Sequence, residues 1–183
     1  MDAKSYVYKT SSQWVKRRRA SFHVEGLPEL TVSAPPEFKG EPGFWTPEHL
    51  LVAAAESCLM ATFLGIAENS RITVGTYESR AEGRLEWVDG TGLRFSEVTI
   101  FPTVEVEKPE DLDRAQRVME KASRGCLIAN SSRAPVRVEP RLSAWQQPHK
   151  ISTSAAQLET AWDSPAPCQA GALPSMKRCT SAH

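Results

Sequence analysis

Residues 46–69 read TPEHLLVAAAESCLMATFLGIAEN, and the fold of the whole chain follows from how this stretch is read. Thr46 is a good helix N-cap, Pro47 suits the first helical position, and Glu48 lies near the positive end of the helix dipole. The spacing predicts a helix to about Asn69. Leu50, Leu51, Val52, Ala54, Cys58, Leu59, Phe63, Leu64 and Ile66 cover most directions around it, so it is apolar nearly all round and must be buried. From Leu50 to Ala67 it is barely long enough to span a bilayer, for which about 20 residues are expected. Glu56 would then lie near mid-membrane at a cost of a few kcal/mol. The alanines suit packing against protein, so no membrane partner is expected.

Before the helix, residues 5–10 and 13–24 read as strands, with Glu25-Gly26 as a turn, and residues 30–33 as a further short strand. Pro35, Pro36, Gly40 and Gly43 impose a loop. After the helix, residues 72–88 and 93–106 read as a long hairpin turning at Asp89-Gly90-Thr91-Gly92. Pro102 marks an edge or a bulge in its second arm. Residues 108–125 form a second helix with an apolar stripe of Leu112, Ala115, Val118, Met119 and Ala122, ended by Gly125. Residues 134–142 alternate as a last strand. Segregated strands and helices argue an α+β fold, antiparallel sheets packed on a long central apolar helix. One sheet covers only one side of such a helix, and a second copy of the chain is the simplest cover for the other.

The domain is expected over residues 1–142. Residues 143–183 are rich in Ser, Ala, Pro and Gln and read as a largely disordered, low-complexity tail, with a short helix around 155–162. Net charge is zero, which gives no electrostatic case for nucleic acid. Lys16 to Arg19 form a short basic cluster of the kind found at a solvated strand end. The N-terminus lacks the apolar core of a signal peptide. The four cysteines, Cys58, Cys126, Cys168 and Cys179, therefore suit a reducing, cytoplasmic setting rather than a disulfide framework. No histidine sits at ligand spacing from a cysteine, so no metal is expected.

Taken singly, Cys58 or Cys126 reads as a small buried hydrophobe. Their surroundings point further. The segment PEFKGEPGFWTPEHLLVAAAESC, followed far downstream by KASRGCLIANS, resembles the OsmC/Ohr family of thiol-dependent hydroperoxide reductases. The resemblance covers roughly residues 5–142. It implies an intertwined OsmC-like homodimer that reduces organic hydroperoxides, with Cys58 as peroxidatic and Cys126 as resolving cysteine. It also implies a dithiol reductant, lipoyl-type for instance, and no cofactor. Glu48 matches the glutamate that holds a catalytic arginine in the family. An ungapped match puts Arg17 at the arginine position, with Arg18 and Arg19 one register slip away on other faces. Two positions depart from the pattern: Glu37 stands where one branch of the family carries its arginine, and Leu127 replaces the proline after the second cysteine.

The chemistry requires these residue types. A thiolate, not a thiol, attacks a peroxide, and a nearby arginine lowers a thiol's pKa and stabilises the departing alkoxide. Glu48 would orient the guanidinium in a bidentate pair. The sulfenic acid left on Cys58 would condense with Cys126, and a dithiol would reset the pair. On one straight helix Glu48 and Cys58 differ in rise by about 15 Å, so antiparallel helices of two copies are needed to bring them together, with Glu48 and Arg17 donated across the interface. His49 reads as a surface residue, and Glu56 either as a buried partner for an arginine or as a carboxylate reaching solvent. Phe44 and Trp45 suit either a pocket wall or helix-entry packing. The competing reading is a non-enzymatic member of the same fold whose pocket binds a small apolar ligand.

Overall fold

The computed structural model describes residues 5–145. Strands β1 (Ser11–Lys16), β2 (Arg19–His23) and β3 (Leu30–Ser33) form a three-stranded antiparallel sheet in that order. The sequence predicted strands at 5–10 and 13–24; instead residues 5–10 lie outside any strand, and the second run breaks at Arg17-Arg18 into a hairpin. The reason is partner length. The five residues of β2 pair with β1 through Ser11↔His23, so the ladder ends before residues 5–10. Arg17 turns the chain with φ 50°, a left-handed conformation uncommon outside glycine, and the Trp14 indole N–H donates to its carbonyl at 3.0 Å.

The loop after β3 is tied down before the long helix begins. Ser33 N–H donates to Trp45 C=O at 2.9 Å and Ala34 N–H to Arg18 C=O at 3.1 Å, while a 3-10 turn occupies Pro36–Phe38. A Cβ on Gly40 would lie 1.5 Å from the Ala34 carbonyl oxygen, so no side chain fits there. Helix α1 (Pro47–Asn69) starts as the sequence predicts: Thr46 Oγ1 accepts the His49 N–H at 3.3 Å, and Pro47 and Glu48 fill the first turn. Its buried residues, Ala55, Leu59, Phe63 and Ala67, recur at every fourth position and form one stripe. The rest of its apolar surface is only partly covered; Leu51 and Met60 are exposed. By length and composition α1 could cross a membrane, and 22% of its most apolar window is buried within the chain.

Strands β4 (Val74–Val88) and β5 (Gly92–Val106) form the long antiparallel hairpin, with Gly90 and Gly92 at φ 75° and 86° in the turn. A 3-10 turn at Pro109–Asp111 leads into α2 (Leu112–Gly125). Its stripe of Ala115, Val118, Met119 and Ala122 is buried as predicted. Gly125 does not end α2 through a left-handed cap, because it is absent from the positive-φ residues; Cys126 ends it by turning extended, at φ −66° and ψ 113°. A short helix α3 (Leu127–Ser131) follows.

The predicted last strand is two strands, β6 (Val136–Val138) and β7 (Arg141–Ala144), and both pair with β5 in parallel. The second sheet is therefore mixed rather than antiparallel, because the α2 crossover carries the chain from the C-terminal end of β5 back to Val98, where β6 starts and runs in the same direction. Glu139-Pro140 makes the break. Pro102 lies in the central strand, not at an edge. Val98 N–H donates to Pro135 C=O, and the carbonyls of Ile100 and Val106 accept from Glu139 and Trp145. The even-numbered residues of this part of β5 thus face β6 and β7, and the N–H that Pro102 lacks would point into the gap between them. α1 and α2 pack on one another and on this sheet, around Leu59, Phe63, Val98, Ile100, Val104, Val106 and Met119. The short helix predicted around 155–162, and the rest of the tail from 146 on, lie outside the described residues.

Candidate active site

Cys58 sits on α1 one residue before Leu59, which is anchored in the core, so its thiol flanks the buried stripe and is half-buried. Cys126 is the fully buried residue between α2 and α3. The packing of these three helices brings the two thiols into hydrogen-bonding contact, and both are free cysteines. The extended backbone at Cys126 aims the following peptide groups at them. Asn130 N–H is the first to bond within α3, to Cys126 C=O at 3.0 Å, so the amides of Leu127, Ile128 and Ala129 need acceptors elsewhere. These amides lie near the two sulfurs and bear on their acidity: Ile128 and Leu127 on Cys58, Ala129 and Ile128 on Cys126.

These contacts split the acidities of the pair. Burial pushes the Cys58 thiol up, but the Ile128 N–H, the Cys126 thiol and the Leu127 N–H outweigh it and leave Cys58 below its ordinary range. Burial pushes Cys126 up; the Ala129 N–H opposes this, and the neighbouring Cys58 sulfur adds to the rise. Thr62 is also close to Cys58, but its hydroxyl has one proton. That proton goes to the Cys58 carbonyl at 2.8 Å, so we assign the thiolate's stabilisation to the other donors. The Cys126 S–H has two acceptors, the Ala55 carbonyl at 3.9 Å and the Cys58 sulfur. An ionised sulfur is the stronger acceptor, so the proton turns to Cys58 when Cys58 is charged.

The other two predicted residues lie elsewhere in the chain. α1 is continuous from Pro47 to Asn69, so Glu48, ten positions before Cys58, is remote from the thiols of its own chain. Its Oε2 is buried with no hydrogen-bond partner. It lines a cavity of about 620 Å³ together with Glu37, Glu41, Phe44, Leu85 and Phe95, largely apolar walls with three carboxylates. Arg17 is on the β1–β2 turn, 77% exposed, with its guanidinium 3.8 Å from Glu41 Oε1. Arg18 donates to the Phe38 carbonyl. Arg19 is 19% exposed, 3.6 Å from Glu41 Oε2, and stacks 4.9 Å over Phe44. None of the three pairs with Glu48, and Glu37 is exposed.

Sequence reasoning missed Glu41 and the amides of Leu127 and Ile128. Glu41 carries no local signature, since only the tertiary fold sets it opposite the hairpin turn. Among the described residues no cluster of three or more metal-ligating side chains occurs.

A family model described as OsmC-like protein matches residues 40–141. Among solved structures, an OsmC-like protein of unknown function from Vibrio cholerae is 25% identical, with TM-score 0.68 over 74% of this chain and 99% of that one. An organic hydroperoxide resistance protein from Elizabethkingia anophelis is 20% identical, with TM-score 0.61 over 79% of this chain and 100% of that one. Another organic hydroperoxide resistance protein, from Legionella pneumophila, is 21% identical, with TM-score 0.58 over 76% and 99%. The last two likenesses are likenesses of fold. Comparison with curated proteins gives no match.

Proposed function

This chain belongs to the OsmC-like protein family, and from that membership we propose that it is a cytoplasmic thiol peroxidase that reduces organic hydroperoxides through Cys58 and Cys126. The observation that carries the reading is the contact between two thiols of unequal acidity. The more acidic one is the half-exposed Cys58, and the less acidic one is buried behind it. That is the order of reactivity a peroxidatic and a resolving cysteine need.

The Cys58 thiolate attacks the outer oxygen of the hydroperoxide. An S–O bond forms, the O–O bond breaks, and its electron pair leaves on the alkoxide, which takes up a proton. Cys58 is oxidised to a sulfenic acid and the peroxide is reduced to an alcohol. Cys126 then attacks the Cys58 sulfur; the S–S bond forms and water leaves with the Cys126 proton. A dithiol reductant, lipoyl-type or other, restores both thiols by exchange.

A second copy of the chain completes the site. Its antiparallel α1 covers the open face around Leu51 and Met60 and brings the partner's carboxylate cavity to Cys58. The unsatisfied Glu48 oxygen supports this reading, because an unpaired buried carboxylate oxygen costs about 1–3 kcal/mol or more. The β1–β2 turn supplies the cation: Arg17 is the residue selected by the family pattern, and Arg19 is its better-buried neighbour on the same carboxylate.

The second reading, a non-enzymatic protein holding a small apolar molecule, is favoured by one observation: Arg17 and Arg19 both face Glu41, with Glu48 unpaired, beside an apolar cavity. Free-thiol titration before and after one equivalent of cumene hydroperoxide decides between the two. Rapid loss of two thiols, abolished in Cys58→Ser and Cys126→Ser and slowed in Arg17→Ala or Arg19→Ala, is expected of the peroxidase. Loss at the rate of a small free thiol would leave the binding protein.

A further inference from the structure

We propose that Glu41 is a specificity-determining residue: by engaging the guanidiniums of Arg17 and Arg19 it makes the Glu48 cavity a site for uncharged apolar molecules and sets it against molecules that carry a carboxylate. The inference rests on the peroxidase reading for the substrate class that it names, uncharged organic hydroperoxides.

The cavity itself comes first. At about 620 Å³ it has room for a small organic molecule, and its walls set the rings of Phe44 and Phe95 beside the carboxylates of Glu37, Glu41 and Glu48. Among the described residues no lysine or arginine lines it. His49 lines it too, exposed, with Nδ1 3.1 Å from Thr46 Oγ1. The cations at its edge converge on one carboxylate. Arg17 lies 3.8 Å from Glu41 Oε1, and Arg19 lies 3.6 Å from Glu41 Oε2. Arg19 also stacks 4.9 Å over Phe44, a wall residue, and the Arg19–Glu41 pair is shielded, at 19% and 23% exposure. Glu41 is fixed in place from behind, because its N–H donates at 3.0 Å to the hydroxyl of the buried Ser33. Glu48 meanwhile keeps a buried oxygen without a hydrogen-bond partner.

Three carboxylates against two guanidiniums leave one negative charge in excess. An incoming carboxylate therefore finds no free cation to pair with and is placed among like charges, which is costly. An uncharged molecule meets no such penalty and gains by covering the aromatic walls. Without the Glu41 charge, Arg19 would remain beside Phe44 with its planar fork free, and such a fork binds a carboxylate through two hydrogen bonds.

Phenylacetate and methyl phenylacetate, matched in shape and free of any peroxide, make the test. Each is titrated by calorimetry into the full chain at about pH 8, above the range in which histidine ordinarily carries charge. In the unaltered chain the ester binds, and the carboxylate binds about tenfold more weakly or worse. Glu41→Gln keeps the side chain's size and frees both guanidiniums, so the carboxylate comes level with the ester or passes it. Glu41→Ala frees the same guanidiniums and serves if the glutamine variant does not fold. Glu37→Gln removes a lining charge but releases no arginine, and leaves the carboxylate the weaker ligand. A gained ligand is not what a loosened fold produces. Equal affinities in the unaltered chain, an ester that does not bind, a carboxylate that stays weak without Glu41, or a Glu37→Gln chain that admits it equally would each overturn the proposal. Because neither ligand is a peroxide, a chain whose thiols fail the titration with cumene hydroperoxide still sorts ester from carboxylate if Glu41 acts as proposed.

Discussion

Replacing Cys126 by alanine and by serine separates two tasks that one sulfur performs. Either change abolishes disulfide formation. Only alanine also removes the proton that Cys126 directs at Cys58. A hydrogen bond to a charged group contributes about 1.5–3 kcal/mol, and a thiol is a weak donor, so the lower end applies. About 1.4 kcal/mol is a factor of about ten in the thiolate population. With a donor to the thiolate lost, the Cys58 midpoint rises, less thiolate is present at neutral pH, and Cys126→Ala slows Cys58 alkylation there by roughly tenfold. Serine keeps an O–H donor at the same place, so Cys126→Ser stays within about threefold of the unaltered chain. Well above both midpoints, where Cys58 is fully ionised, the two variants alkylate at equal rates, which separates acidity from access. Iodoacetamide modification of the Cys58 peptide, measured as a rate against pH, is the assay. Alanine and serine variants that titrate together would refute the claim that Cys126 acts on Cys58 before any peroxide arrives.

Two further outcomes follow from the same packing. Cys58 has a folded-state pKa below its ordinary value, so its ionisation adds stability that is complete above the unfolded thiol's range, near pH ~8.5, and is lost as pH falls through the lowered folded value. Urea melts should therefore show the stability difference between the unaltered chain and Cys58→Ser widening from neutral pH toward that range; a constant or narrowing difference would count against the assigned acidity. A Cβ at Gly83 would lie 2.5 Å from Val52 Cγ2 and 2.7 Å from Phe95 Cε1, so Gly83→Ala overpacks the contact between α1 and β4 and costs about 1–3 kcal/mol. An unchanged urea midpoint would show that this wall of the Glu48 cavity is looser than described.

The parts of the fold that were legible in the sequence are those whose signals are local. Thr46-Pro47-Glu48 starts α1, the fourfold spacing through Ala115 and Met119 defines α2, and Asp89-Gly90-Thr91-Gly92 turns the long hairpin. The failures are pairing events, which depend on a partner's length and direction. Residues 5–10 alternate like a strand but lie beyond the end of the β1–β2 ladder, and residues 134–142 alternate across a break at Glu139-Pro140 that shows only against β5. The site divides in the same way. Cys58 and Cys126 were identified by family resemblance, through side chains. The Leu127 and Ile128 amides were invisible because every residue but proline carries the same N–H. The surroundings of Arg17 and Arg19 turn on Glu41, a residue about twenty positions away whose proximity is purely tertiary.

The two sulfurs are contributed from opposite sides of the β4–β5 hairpin and α2, and they meet only where α1, α2 and α3 pack. Closing so long a stretch of chain is a late event in folding. While the polypeptide is being made, Cys58 emerges first and has neither the amides nor the second thiol that sharpen it, so a nascent chain carries an ordinary, sluggish thiol. Under the proposed function, reactivity toward oxidants would thus be a property of the completed fold and not of the growing chain.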